Sequence, residues 1–509
     1  MGRKINSEKL GRLYCGKKTK KRREWRGASD TWYDYTRWVR NWAVMAKFMA
    51  KPANLKGFFR YRWMGNYLAV PDFVDRHTEG LRGPQLRIAH QEFDFIVEHV
   101  CDTIGNLFRA DPKCGNDQEF NKKIVVFDEN MMSQIMNGFP NLHMVCREIP
   151  IVYTPSTVAQ DGVLHYIDVA EEFGLPSDVC PMPAAELGCA IDDDYPLVGV
   201  CAVNCNTTCD GSLMGNGVEA RRFGIPTFQL AVPIRHMQQS VQEYGAEEIA
   251  NCIRFIEEQT GDWDHYFQCM ETFNEETKLF REWLDLSKTN RPQVIGNNVA
   301  LYRDAYYQVG GGRDARFLEN DRKITELAYE GYEKKVSCVS EVRHRAVLWG
   351  VQAQYYTAFP IWLQNCWGIL PLIDMLSLTS TELYSTTDRQ QALYDMADLY
   401  MKMNMRNRSN GGYEVGVDDL WRFCEEFHAD MVIMYEHIGC KAMAGYHGIF
   451  EEQARERGLH LIWVTHGLMD PRKASRKDMR DEVSRYMRTV LQEEPLDPSL
   501  EDFPDENNW

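Results

Sequence analysis

The stretch Ala429–Thr465, ADMVIMYEHIGCKAMAGYHGIFEEQARERGLHLIWVT, decides the fold. It reads as a strand over Ala429–Glu436, a turn carrying His437-Ile438-Gly439-Cys440-Lys441, a helix through Glu456, a stop at Gly458 and a second strand over Leu459–Thr465. A continuous apolar run bounded by turn signals fits a strand buried on both faces, as in a parallel sheet covered by helices. Cys440 then stands just past the carboxyl end of a parallel strand.

Working outward, an earlier stretch repeats the plan. Pro196–Asn204 (PLVGVCAVN) reads as a strand, Cys205–Gly211 as a turn, Ser212–Arg222 as a helix, and Gly224 stops it before a strand over Ile225–Val232. Both units put a cysteine past a strand end, where open α/β sheets build their sites. Two half-sites from two domains are the simplest reading.

At 509 residues the chain exceeds what one core usually supports, so two or three domains are expected. The net charge of -16 argues against nucleic acid as the main partner, because polyanion binding needs a basic surface. The exception is residues 1–26, with eleven Lys/Arg against two Glu, read as a solvated or partner-docking arm with nucleic acid or anionic lipid as the alternatives. No apolar run is long enough for a membrane span and the charged amino end lacks a secretory core, so a cytoplasmic location is expected. In that compartment fifteen cysteines do not form a disulfide framework; some can bind metal and most are small buried hydrophobes.

Residues 1–150 read as a basic, aromatic-rich and largely helical extension, with Trp38, Trp42 and Met45 on one helical face. The α/β pattern begins at Pro150: a short strand over Ile151–Thr154, a helix over Asp161–Phe173, and a loop containing Cys180. Residues 151–330 form the first α/β domain with its helical segment, 331–491 the second, starting with the strand His344–Trp349, and 492–509 an acidic tail laid on the surface.

Cys201-x3-Cys205-x3-Cys209 is one residue off the radical-SAM spacing, and Cys201 falls inside a predicted strand, so that chemistry is set aside. Gly215-Asn216-Gly217-Val218-Glu219-Ala220 has the glycine spacing of a dinucleotide fold, but inside the predicted helix, where packing explains it. The remaining candidate is a three-thiolate site from Cys180, Cys209 and Cys440, since three ligands would leave one iron of a cluster open as a Lewis acid. Cys15, Cys101, Cys114, Cys146, Cys189, Cys252, Cys269, Cys338, Cys366 and Cys424 are read as structural. For acid–base work the turn supplies Glu436, His437 and Lys441, with Tyr446 and His447 following; solvated turn residues are the competing reading. His466 and Asp470 close the next strand, either as chemistry or as loop caps.

These residues resemble the family of 2-hydroxyacyl-CoA dehydratases and ATP-dependent benzoyl-CoA reductases. The resemblance runs through Ser177-Asp178-Val179-Cys180, Cys205-Asn206-Thr207-Thr208-Cys209-Asp210 with Phe223-Gly224-Ile225-Pro226, Glu257-Glu258-Gln259-Thr260-Gly261, Phe273-Asn274 and Asn290-Arg291-Pro292. It continues through Gly439-Cys440-Lys441, Gly445-Tyr446 and Met469-Asp470-Pro471-Arg472. Each is weak singly; the ordered set over about residues 150–490 is specific.

The resemblance implies two Rossmann-like parallel-sheet domains with an associated helical segment, and an oxygen-sensitive [4Fe-4S] cluster held by Cys180, Cys209 and Cys440. It implies a homologous second subunit and a separate ATP-dependent iron-sulfur activator that delivers one electron. The expected reaction removes water from a 2-hydroxyacyl-CoA to give a 2-enoyl-CoA through a ketyl radical, with Glu436 and His437 as catalytic groups and Ser156, Lys441 and Tyr446 as acyl-CoA contacts. Three departures from the family stand out: the long extension, the lack of a carboxylate in Tyr153-Thr154-Pro155-Ser156-Thr157, and Thr465-His466 where an acid is common. A benzoyl-CoA-reductase-like subunit and a non-catalytic electron-transfer or scaffold paralogue are the alternatives.

Overall fold

The computed structural model describes residues 27–501 apart from 79, 128–132, 207–209, 232, 234–237, 263–266, 310, 340, 376, 378–380 and 403–412. The basic arm, Cys15 and Cys209 lie outside the described residues.

Two four-stranded sheets, both wholly parallel, carry the fold. The first contains β1 (Ile124–Phe127), β2 (His143–Cys146), β3 (Cys201–Cys205) and β4 (Thr227–Leu230), in the order β2-β1-β3-β4. The second contains β5 (His344–Trp349), β6 (Ile369–Asp374), β7 (Met431–His437) and β8 (His460–His466), in the order β6-β5-β7-β8. Each sheet reverses its strand order between its first and third strands, the place where open α/β sheets leave a crevice. Pro371 fits in β6 because that strand is at an edge, and the β5–β6 register shifts between Ala346 and Val347.

Alternating residues of β7 explain its continuous apolar run. Val432 and Met434 enter a large core continuous with the first sheet's Val125, Phe127 and Val203, whereas Ile433 and Tyr435 face Met479 and Val483 of the helix Arg476–Tyr486. Both faces are covered, so neither needs polar residues. Gly458, in the left-handed region at φ 68°, ends the helix His447–Arg457 and feeds β8. The α/β plan and the strand–turn–helix–strand units are therefore those expected.

Three details differ. β1 and β2 come from residues assigned to the helical extension; among the described residues the helices that precede them end at Ala110, apart from one turn at Gln118–Asn121. Ile151–Thr154 is helical rather than extended, because Pro150 and Pro155 occupy first-turn positions of two short helical segments, Ile149–Tyr153 and Thr154–Val158. Cys205 is the buried last residue of β3 rather than a turn residue. Gly217 falls inside the helix Asp210–Phe223 as expected, but it is exposed and a Cβ there would meet nothing, so close packing does not explain it.

The amino-terminal helices Ala28–Met49, Pro52–Arg60, Val70–Thr78 and Gly83–Ala110 share a separate core with the segment that follows β2. Phe48, Trp63, Phe73 and Phe93 pack there with Tyr166, Met182 and Met469. The acidic tail is laid on the second sheet's side as far as it is described: Leu496 N donates to Cys366 O, and Trp362 Nε1 to Leu500 O. Among the described residues no helix is long and apolar enough to cross a membrane.

Candidate active site

The site is built where the turn after β7 meets the loop before the helix Pro181–Ile191. Cys180 is that helix's N-cap, and Cys440 is the N-cap of the short helix Lys441–Gly445. Cys209 stands in the chain one position before the helix Asp210–Phe223. A helix amino terminus favours negative charge, so Cys180 faces a setting suited to a thiolate.

His437 joins the two loops. Its Nε2 lies 3.3 Å from Cys180 Sγ, while Gly439 N donates to its Nδ1 at 3.3 Å. An acceptor Nδ1 leaves the ring proton on Nε2, so His437 is assigned as a neutral imidazole donating towards sulfur. Cys440 N donates to His437 O at 2.9 Å, which fixes the next cysteine to the same turn. Gly439 makes the approach possible: a Cβ there would lie 2.8 Å from His437 Cε1 and 3.1 Å from Cys180 Cα.

The β7–β8 register pairs His437 with His466 and Glu436 with Thr465. The two imidazoles stack with centroids 5.7 Å apart, and Leu468 N donates to His466 Nδ1 at 3.0 Å. Glu436, half-buried, accepts from Thr465 Oγ1 at 3.3 Å and lies 3.3 Å from His447 Nδ1. His447 is exposed and lies flat on Trp463 at 3.9 Å. Behind them Thr465 N donates to Glu482, whose carboxyl burial pushes above the ordinary range.

Charged contacts hold the loops in register. Lys441 Nζ reaches Asp178 Oδ2 at 3.1 Å, an exposed pair that draws the Asp178 carboxyl below its ordinary range. Lys473 Nζ donates to Ser177 O at 2.7 Å, and Arg472 spans Asp470 and Asp168 at 2.8 and 2.7 Å. Exposed pairs add little stability, so their effect here is orientation. Asp470 thus serves as a loop anchor.

The expected residues divide. Cys180, His437 and Cys440 come together and Lys441 joins the Cys180 loop through Asp178, whereas Glu436, the strand neighbour of His437, points to the other face towards Thr465 and His447; Tyr446 follows as the half-buried N-cap of the helix His447–Arg457. Ser156 does not join them through its hydroxyl: it is buried and donates to Tyr153 O at 2.8 Å. Gly439 and the Cys180–His437 contact had no separate signal in the sequence beyond the Gly-Cys pair itself.

Cysteine burial sorts the thiols. Of those described, Cys180, Cys440 and Cys101 are partly exposed and the rest buried. Burial pushes the thiols of Cys101, Cys114, Cys201, Cys338 and Cys424 up to about 12, the condition of inert structural cysteines. Among the described residues no three Cys, His, Asp or Glu side chains form a metal-holding group. Two partly exposed cysteines at helix starts, a histidine ring nitrogen beside one sulfur and a glycine that permits the close approach are groups of a kind that can hold a metal; Cys209, the third expected ligand, lies outside the described residues.

Comparison with known proteins agrees with this architecture. Residues 145–483 match the family model described as 2-hydroxyglutaryl-CoA dehydratase, D-component. No curated protein matches the chain.

Proposed function

The chain belongs to the 2-hydroxyglutaryl-CoA dehydratase D-component family, and from that premise we propose that it is the cluster-bearing subunit of a 2-hydroxyacyl-CoA dehydratase. A component implies a partner component; we take the partner to be a homologous subunit, served by an ATP-dependent iron-sulfur activator. The observation that carries the reading is the junction at His437, where Cys180 and the Cys440 turn meet across two α/β units.

The reaction needs unusual help. Elimination of a 2-hydroxyl from an acyl thioester requires loss of a β-proton that is not acidic. One electron added to the thioester carbonyl gives a ketyl radical, which expels the hydroxyl from C2; the resulting enoxy radical has an acidified β-proton, and after its loss the electron returns. Water is released and no net oxidation occurs. A [4Fe-4S] cluster held by Cys180, Cys209 and Cys440 would supply one-electron transfer and an open Lewis-acid iron when bound.

The chain's own groups do the rest. His437 Nε2–H, aimed at Cys180 Sγ, withdraws electron density from that sulfur and tunes its ligand strength. Glu436 is the base: its carboxylate takes the β-proton and hands it to His447 Nδ1, 3.3 Å away and open to solvent. Lys441, which opens the short helix after β7, and Tyr446, which follows that helix, are the thioester contacts, while Ser156 acts through Tyr153 O rather than by touching substrate.

An anaerobic assay of the chain with its co-purified partner, an activator, ATP and a 2-hydroxyacyl-CoA tests this. The expected product is enoyl-CoA, with far less than one ATP used per product. Stoichiometric ATP use would favour a reductase instead. Glu436→Gln should keep its iron and lose roughly 10²–10⁴-fold in elimination rate; an unchanged rate would remove Glu436 as base.

A further inference from the structure

A cavity of ≈ 140 Å³ opens between the amino-terminal helices and the segment 149–158. Its volume is close to the about 150 Å³ of an engineered apolar cavity that stays dry and binds benzene, so it suits about six carbons. Phe48, Phe58, Met64, Phe73 and Phe93 form much of the wall, and these residues lie outside the span 145–483 matched by the family. Methionines among the aromatic rings let such a wall adapt to its occupant.

Its polar edges are largely spent. Tyr67 Oη donates to Pro150 O at 2.7 Å, and Thr157 Oγ1 to Gln354 Oε1 at 2.9 Å. No Lys, Arg or His is among the described residues that line the cavity, and Asp304 is the one charged group. A carboxylate placed there would lose its water, gain no cation and face Asp304.

Hydrogen bonds tie the cavity wall to the site. Tyr153 Oη donates to Met182 Sδ, on the helix that Cys180 caps. Gln354 N donates to Leu468 O at 2.7 Å, and Leu468 N to His466 Nδ1 at 3.0 Å, whose ring stacks on His437.

We propose that this cavity receives the acyl tail of the substrate, and that the tail is apolar, aliphatic or aromatic and about six carbons in size, in place of a dicarboxylic acyl group. The proposal rests on the dehydratase reading for the identity of the ligand as an acyl thioester. It gives the amino-terminal extension a purpose: it builds the specificity wall of the site.

Calorimetric titration of the anaerobically purified full-length protein with hexanoyl-CoA and with glutaryl-CoA tests it. Neither probe carries a 2-hydroxyl, so binding is read without turnover. Hexanoyl-CoA should bind at least about tenfold more tightly, the scale of a methylene-sized difference in an apolar pocket. Val100→Phe and Ala305→Phe, on separate helices and both half-buried, fill the cavity; each should abolish that preference while melting like the wild type. Equal or tighter binding of glutaryl-CoA, or a preference that survives both variants, would overturn the assignment. Absence of enoyl-CoA in the assay above, with the hexanoyl preference intact, would remove the dehydratase reading and leave the apolar pocket standing; failure to bind either thioester would remove both.

Discussion

The two sheets share one strand order and part company at the ends of their third strands. In the first, the last register pair is Cys205 beside Leu230; in the second it is His437 beside His466. The same frame thus ends once in apolar atoms and once in stacked imidazoles with Glu436 and Thr465 one step below. Titratable side chains gather at this end of the second sheet, where Cys440 also stands, and the loop carrying Cys180 before the helix Pro181–Ile191 meets them there.

The largest test of that comparison concerns stability. Phe127 and Trp349 end the first strands of the two sheets, are fully buried and belong to one continuous core. Truncating either to alanine should cost about 3–5 kcal/mol and lower a single cooperative thermal transition. Two separate transitions, each sensitive to one variant, would break the single-core picture.

The turn after β7 should respond next. Gly439→Ala places a methyl against His437 and Cys180, so about 1–3 kcal/mol of stability and most of the iron should be lost together. An alanine variant with wild-type iron would mean that the close approach is not required. His437→Phe keeps a ring and removes the N–H towards sulfur; iron affinity should fall by roughly 10–100-fold with little change in melting temperature. Unaltered affinity would make His437 a packing residue.

The smallest effect is one of pH, and it has opposite sign in the two sheets. His344, at the start of β5, is raised by its hydrogen bond to Asp430, with Glu493 adding to it, and Asp430 is correspondingly lowered by that bond despite its burial. The imidazolium therefore contributes stability below the unfolded histidine pKa, about 6.5, and that contribution is lost as pH rises through the folded value; the carboxylate's share is lost on strong acidification. His143, at the start of β2, is exposed yet lowered by partial desolvation, with Arg313 and Lys123 adding to it, so stability there falls modestly as pH drops below about 6.5. Chemical denaturation at pH 5.5 and 8 should show His344→Gln more damaging at the lower pH and His143→Gln less damaging there; the same pH trend in both would contradict the assignment.

Much of this was legible in the chain because β7, its turn and β8 are long, apolar and punctuated by Gly458. β1 and β2 were not, since strands of four residues show no usable periodicity and these follow a helical, aromatic-rich stretch. Ile151–Thr154 misled by its β-branched residues, whose preference yields to the prolines at two helix starts. Cys180 and Cys440 could be paired through the order of family-like motifs, but His437 bridges 257 residues to Cys180, a contact that no local spacing encodes. The cavity wall is silent for a related reason: its aromatics have the pattern of ordinary core, and only the packed helices reveal that they leave a space.

The most direct measurement is iron and acid-labile sulfide on anaerobically purified protein, compared with Cys180→Ala and Cys440→Ala prepared alongside. About four of each per wild-type chain, bleached by air and lost in both variants, is the expected result. Iron absent from the wild type after anaerobic reconstitution, or unchanged in the variants, would contradict the assignment of these cysteines to a cluster.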